Sequence, residues 1–221
     1  MAREAADPVE RRPLTRELIV QASIALIERD GAKALSMRKI ASELGVGVMS
    51  LYNHVPNKDA LLEAVADSVL AGVSVADDPG LDWKRTARAM AAAFRATARR
   101  YPRTTHLVLT GSGGRTFGWR TAERALAGFD AAGFDGPTSV HAFRALTSYV
   151  FGAQMLEGGA LRLPGRDPGD LTGPHLDVDP AEIPHVVAMA DALTRPDPDA
   201  DFECGLEMLL SALDRLPRPA R

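Results

Sequence analysis

Residues 36–58 read SMRKIASELGVGVMSLYNHVPNK, and the order of caps and apolar positions in this stretch decides the fold. Ser36 is a helix-capping residue, and Ile40, Ala41 and Leu44 share one helical face. Gly45 stands where a helix closes in left-handed backbone. A second short helix is expected from Val48 to His54, closed by Pro56, and Asn57 caps another that opens with Lys58. Two short helices across a glycine turn are the layout of a helix-turn-helix, whose second helix enters the major groove of DNA. Ile40, Leu51 and Val55 read as core beneath it.

Upstream, Thr15 caps a helix to about Arg29, with Leu18, Ile19, Ala22, Leu26 and Ile27 at helical spacing and Gly31 at its end. Downstream, Leu61, Leu62, Val65, Val69 and Leu70 run inward along the helix that Lys58 opens. Further helices are expected at Trp83–Arg100, capped by Asp82 and broken by Pro102, and at Arg115–Ala132. Others follow from Thr138 to about Leu156, near 181–193 and over 200–216. His106–Thr110 is too short to classify, and the Gly-, Pro- and Asp-rich residues 158–182 read as a long mobile loop. The chain is thus all-α, with a disordered arm over 1–13 and a helix-turn-helix domain over 14–57. A regulatory, ligand-binding and dimerisation domain takes 58–217. The helix from Thr138 carries Val140, Phe143, Leu146, Tyr149, Val150 and Phe151 around much of its circumference, and a dimer interface would bury it.

Composition agrees with a helical chain, since β-branched runs are rare and alanine, leucine and arginine abundant. Cys204 is the single cysteine in 221 residues, which excludes an intramolecular disulfide and fits a reducing, cytoplasmic setting. The first residues, MAREAADPVERRP, hold no apolar leader segment, and no apolar run is long enough for a membrane span. A net charge of −3 argues by itself against binding a polyanion, but its distribution does not. Arg11 to Lys58 hold eight basic and four acidic residues, whereas residues 151–221 hold six basic and thirteen acidic. A basic module on an acidic chain binds phosphate without adhering to nucleic acid everywhere.

The first base contacts of a recognition helix come from its N-terminal residues, here Gly47, Val48, Met49 and Ser50. Val48 and Met49 suit thymine methyls, Ser50 suits a base or a phosphate, and Gly47 removes bulk where backbone nears the duplex. Arg38 on the preceding helix suits a bidentate contact to guanine. Tyr52 and His54 are the candidates for phosphate, with Thr15 and Ser36 behind them, and Lys58 adds a charge at a helix N-terminus. Met49 and Tyr52 also admit a reading as packing residues.

The stretch LTRELIVQASIALIERDGAKALSMRKIASELGVGVMSLYNHVPNKDALLEAV resembles the DNA-binding domain of the tetracycline-repressor (TetR) family over about residues 14–66, with LYNHVPNKDALL its most specific part. DWKRTARAMAAAFRATARRYPRTTHL and AERALAGFDAAGFD resemble the regulatory domain of the tetracycline repressors, extending the likeness to residue 158. The resemblance implies a homodimer that binds a palindromic operator and releases it when a small molecule enters the C-terminal domain. It implies Arg38 on a base, Ser50 and Tyr52 at the DNA, Lys58 on a phosphate, and a four-helix dimer interface from 138–157 and 200–216. Phe94 and His106 match drug-contacting positions of the family, but Met90 and Ala125 stand where the tetracycline repressor has an asparagine and a glutamine. Losing two hydrogen-bonding groups costs about 1–3 kcal/mol each, so tetracycline is not the expected effector, nor is magnesium expected on His106.

Candidate ligand contacts on the middle helices are Met90, Phe94, His106, Trp119, Phe143, Tyr149 and Met155, which imply a fairly apolar effector; ordinary core is the alternative for each. HLVLTGSGGRTFG, residues 106–118, lacks the third glycine of a dinucleotide fingerprint and reads as a loop beside the pocket. His141, His175 and His185 lack metal-ligand spacing, and Asp197, Asp199 and Asp201 read as a solvated turn. No cofactor, metal or nucleophile–base pair is expected, and so no enzyme. The expected function is a ligand-responsive transcriptional regulator, a repressor by preference. The alternative is a small helical enzyme or adaptor that uses the C-terminal cavity without DNA.

Overall fold

A computed structural model describes residues 13–71, 73, 82–110, 115–158, 179–195 and 197–218. All regular structure among the described residues is helical: α1 (Arg16–Asp30), α2 (Met37–Leu44), α3 (Val48–Tyr52), α4 (Lys58–Ala71), α5 (Trp83–Arg100) and α6 (Pro102–Thr110) lead the chain. They are followed by α7 (Arg115–Ala131), α8 (Gly136–Glu157), α9 (Pro184–Ala188), α10 (Ala190–Leu193) and α11 (Pro198–Asp214), with 3-10 turns at Ala32–Ala34 and Pro180–Glu182. The arm expected over 1–13, except its last residue, lies outside the described residues. So do residues 159–178 of the expected loop, His175 among them, and residues 111–114 of the glycine-rich segment.

The caps set these boundaries. Thr15, Ser36, Asn57, Asp82 and Asp135 each accept a hydrogen bond from the backbone N–H three residues on, at 2.7–3.2 Å. Asp135 belongs to a Phe-Asp-Gly-Pro segment that reads in sequence as a turn. It serves as the cap of α8, because Pro137 falls in the first turn, where no N–H is needed. Pro102 likewise ends α5 and opens α6, so the segment too short to classify is the second half of a nine-residue helix. The helix expected near 181–193 is instead three short pieces, Pro180–Glu182, α9 and α10, with Met189 interrupting the last two.

Two cores meet in α4. Leu61, Ala64, Val65 and Val69 join Ile19, Leu26, Ile27, Ile40, Leu51 and Val55 in the front core. Ala66 and Leu70 join Phe94, Val108, Val150, Phe202, Leu206 and Leu210 in the second. The front core therefore extends through α4, past the boundary expected at residue 57. Each fully buried Leu or Ile contributes about 1.5–3 kcal/mol, which makes α4 costly to remove from either side. A third cluster, Phe129, Phe134, Ala142 and Leu213, closes the far end, with Trp83 edge-on to Phe134 at 5.4 Å.

The acidic excess of the C-terminal third has a partner within the chain. Helix α5 carries Lys84, Arg88, Arg95 and Arg99, and these pair along antiparallel α11. Lys84 Nζ lies 2.6 Å from Asp214, Arg88 pairs with Glu207, and Arg95 and Arg99 reach Asp199 at 2.7 and 2.6 Å. Arg95 and Arg99 also hold Glu157 at the end of α8, at 3.1 and 2.6 Å. The Arg95 side chain is 9% exposed, donates to the carbonyl of Pro198 and lies over the Phe202 ring. Asp199, which reads in sequence as part of a solvated turn, is thus the acceptor of two arginines. Burial opposes ionisation of Glu157, but the hydrogen bonds from Arg99 and Arg95 outweigh it and hold its carboxyl below the usual range.

Candidate DNA interface

Helices α2 and α3 pack on each other and on the front core through their apolar sides. Gly45 has φ +64°, its N–H donates to Ala41 and Ser42 carbonyls, and Val46 N–H donates to Ala41 at 3.0 Å. This six-to-one bond is the Schellman closure of a helix, and only glycine adopts its left-handed backbone without strain. Half-buried Val46 packs against the front core, and the chain turns directly into α3. There Leu51 is fully buried, and Val55, just past the helix, is 1% exposed, while Met49 is 75% and Tyr52 42% exposed. Val48 and Ser50 are half-buried. Among the described residues Met49 is not part of the front core.

Gly47 differs from Gly45. Its φ is −71°, and a Cβ added there would meet only Ser50 Oγ at 3.8 Å, an ordinary contact. The fold itself does not require glycine at this position.

The basic side chains of this domain sort into two sets. Arg29 lies between Asp30 and Glu43, 2.9 and 2.6 Å away, and Lys39 reaches Asp30 at 2.6 Å. These bonds raise the Arg29 pKa and drive the Asp30 carboxyl well below its usual range, first through Arg29 and then Lys39. Arg38 and Lys58 are exposed and form no ion pair among the described residues, and the same holds for Arg16 and Lys33. The cations expected at DNA are thus unneutralised, while those that brace α1 against α2 are spent. Arg16 and Lys33 are absent from the sequence-derived candidates, since nothing in the motif marks them.

His54, exposed after α3, lies near the start of α1. The Glu17 carboxyl is held below its usual range by its own backbone N–H and the Thr15 hydroxyl, with smaller contributions from Arg16 and His54. Thr15, Arg16 and His54 are therefore one neighbourhood, although His54 follows Thr15 by 39 positions. The hydroxyls of Thr15 and Ser36 accept bonds as caps; the Thr15 O–H is turned to the Glu17 carboxyl, and the Ser36 O–H can donate to a phosphate.

Of the expected ligand contacts, Phe94 and Tyr149 share the second core, whereas His106 and Trp119 lie exposed. Phe94 is 4% exposed in the second core, its ring 5.0 Å from that of Phe151. Tyr149 packs in the same core, and its hydroxyl donates to the Phe202 carbonyl at 2.6 Å, so it braces α8 on α11. Phe143 belongs to the third cluster. Met90 and Met155 are half-buried. Trp119 is 77% exposed. His106 is exposed as well: α6 starts at Pro102, and its period turns Thr104, Thr105 and Val108 inward. Val108, two residues on from His106, joins Phe94 in the second core, and half-buried Leu109 packs against it. Sequence reasoning missed Arg95, whose burial has no local signal, and Thr105, whose buried hydroxyl has no hydrogen-bond partner among the described residues.

Residues 19–65 match the family model described as bacterial regulatory proteins, tetR family, and residues 76–216 match that of the tetracyclin repressor-like C-terminal domain. This chain belongs to the TetR family of transcriptional regulators. Among relatives, the class A tetracycline repressor protein of transposon 1721 from Escherichia coli is 31% identical over 201 residues, 88% of each chain. A helix-turn-helix-type transcriptional regulator of Saccharopolyspora erythraea is 33% identical over 144 residues, 65% of this chain and 61% of that one. Apo ActR from Streptomyces coelicolor superposes with a TM-score of 0.74 at 28% identity, covering 91% of this chain and 95% of ActR. ActR in complex with actinorhodin gives 0.72 at 27% identity, over 91% and 95%. Among the described residues no helix is long and apolar enough to cross a membrane, and no His, Cys, Asp and Glu group could hold a metal ion.

Proposed function

We propose that this TetR-family regulator is a cytoplasmic repressor that binds a palindromic operator as a homodimer and releases it when a fairly apolar small molecule enters the C-terminal domain. The observation that supports the reading is the division of cations in the front domain: Arg38 and Lys58 are exposed and form no ion pair among the described residues, in the same motif as outward-facing Met49 and Tyr52. Phosphate binding needs such unneutralised charge. Arg38 serves as the guanine reader, Val48, Met49 and Ser50 meet base edges, and Gly47 lets backbone approach. Tyr52, His54, Lys58, Thr15 and Ser36 hold phosphates.

The dimer reading rests on the outer side of α11, where Met208 is 67% exposed beside Cys204 and Arg215, and on α8, where Phe151 is 37% exposed. For the effector, ActR bound to actinorhodin is the supporting relative, and the Phe94–Phe151 ring pair with Met90 is the favoured contact region. Operator release follows if the ligand-bound dimer holds its two α3 helices away from one-turn spacing, about 34–36 Å. The test is selection of bound DNA from a random pool with wild type and with Arg38→Ala/Lys58→Ala. Recovery of the same palindrome by both would overturn the assignment.

A further inference from the structure

Helices α1 and α6 meet end to end, and each caps the other. The Glu28 carboxylate accepts from Arg103 N–H at 3.3 Å, Thr104 N–H at 2.7 Å and the Thr104 hydroxyl at 2.7 Å. In return the Arg103 guanidinium donates to the carbonyls of Glu28 and Arg29 at 2.9 and 2.8 Å. The first N–H groups of a helix and its last carbonyls lack partners within the helix, and their dipoles favour an anion at the first and a cation at the second. Both demands are met here across an interface between residues 75 apart in sequence. Thr104 is fully buried in the joint.

The polar chain continues beyond the joint. The next residue of α1, Arg29, gives its carbonyl to Arg103 and its guanidinium to Asp30 and Glu43, and Asp30 takes Lys39. Glu43 and Lys39 lie on α2, so a continuous set of charged hydrogen bonds runs from α6 through the end of α1 to the first helix of the DNA-binding motif. This route does not pass through α4.

We propose that Glu28, Arg103 and Thr104 are positioning residues for operator recognition, fixing the angle of the DNA-binding domain on the regulatory domain. They touch no DNA; they set where each α3 points relative to the dimer core. The proposal rests on the reading of a homodimer on a palindrome. A positioning role affects simultaneous engagement of two half-sites and leaves each half-site contact intact, because Arg38, Met49 and Lys58 are unchanged.

The experiment uses the full-length chain, a palindrome selected with it from random DNA, and one half of that palindrome as a separate duplex. Affinities are measured for wild type, Arg103→Ala, Thr104→Val and Thr104→Ser. Arg103→Ala and Thr104→Val are expected to lose roughly tenfold or more on the palindrome and to keep half-site affinity. Thr104→Ser, which retains the hydroxyl, is expected to keep both. Equal losses on half-site and palindrome would mean general damage to the fold and would overturn the proposal, as would unchanged palindrome affinity. If wild type prefers the palindrome no more than its half, the dimer reading itself falls, an outcome separate from the behaviour of the variants.

Discussion

The ring of Tyr149 lies directly over Gly205: a Cβ on Gly205 would stand 2.7 Å from Tyr149 Cε2 and closer still to the hydroxyl. The tyrosine cannot yield freely, since its hydroxyl is tied to the Phe202 carbonyl on the same helix. This close crossing sets the spacing of α8 and α11, the two helices proposed to form the dimer face. In a free helix, Gly→Ala stabilises by about 1 kcal/mol. Here Gly205→Ala is expected to destabilise by about 1–3 kcal/mol through overpacking, read as a lower thermal midpoint. An unchanged or higher midpoint would show that Tyr149 moves aside.

The two glycines of the recognition turn predict opposite outcomes. Gly45→Ala forces a side chain into left-handed backbone and is expected to cost about 1 kcal/mol or more of stability. Gly47→Ser places a good capping residue in extended backbone with open space around its Cβ, so stability is expected to hold or rise slightly. Its operator affinity is nevertheless expected to fall, because the added group would stand where backbone is proposed to approach the duplex. Denaturant unfolding and operator titration on one sample separate the two effects.

The contacts proposed for Arg38 and Lys58 differ in kind. Replacing Arg38 with Ala is expected to cost about 1–3 kcal/mol of operator binding and to relax selectivity at one base position. Lys58→Ala is expected to weaken all sequences alike and to lower the slope of log K against log salt by about 1 per half-site. Titrations from low to moderate salt on matched and single-substituted operators check both.

Acid lability is expected to come from the ion pairs that α5 makes with the end of α8 and with α11. Glu157, Asp199, Glu207 and Asp214 all have carboxyl groups held below their usual values by arginine or lysine partners. A depressed carboxyl pKa adds stability above the unfolded value, near 3.8 for Asp and 4.5 for Glu, and loses it as pH falls through the folded value. The thermal midpoint is expected to hold from pH 7 to about 5 and to drop below that. In Asp199→Asn/Glu157→Gln the drop is expected to be shallower, from a lower starting point, when midpoints are compared across pH.

The recognition motif was legible because its signals are local: Ser36 and Asn57 as caps, Gly45 as a left-handed stop, and the apolar period of Ile40 and Leu51. The ligand region was not. The family resemblance puts His106 at a drug-contacting position but does not show where α6 begins, and a start at Pro102 turns that side chain outward in the single chain. Tyr149 looked like a pocket tyrosine because composition cannot tell which carbonyl will claim its hydroxyl. Glu28 and Arg103 carried no sequence signal at all, since each reads as an ordinary charge at a helix end until the two ends are brought together.

The sharing of α4 between two cores bears on how such proteins can be recombined. Leu61 and Val65 face one core, and Ala66 and Leu70 the other, within a single stretch of ten residues. A hybrid regulator spliced at residue 57 would supply its borrowed front with a foreign α4 and leave Ile19, Leu26 and Leu51 against side chains never matched to them. A seam after Ala71 keeps the front core intact, because the transplanted DNA reader then travels with its own α4, and it moves the mismatch to Ala66 and Leu70 against a foreign second core.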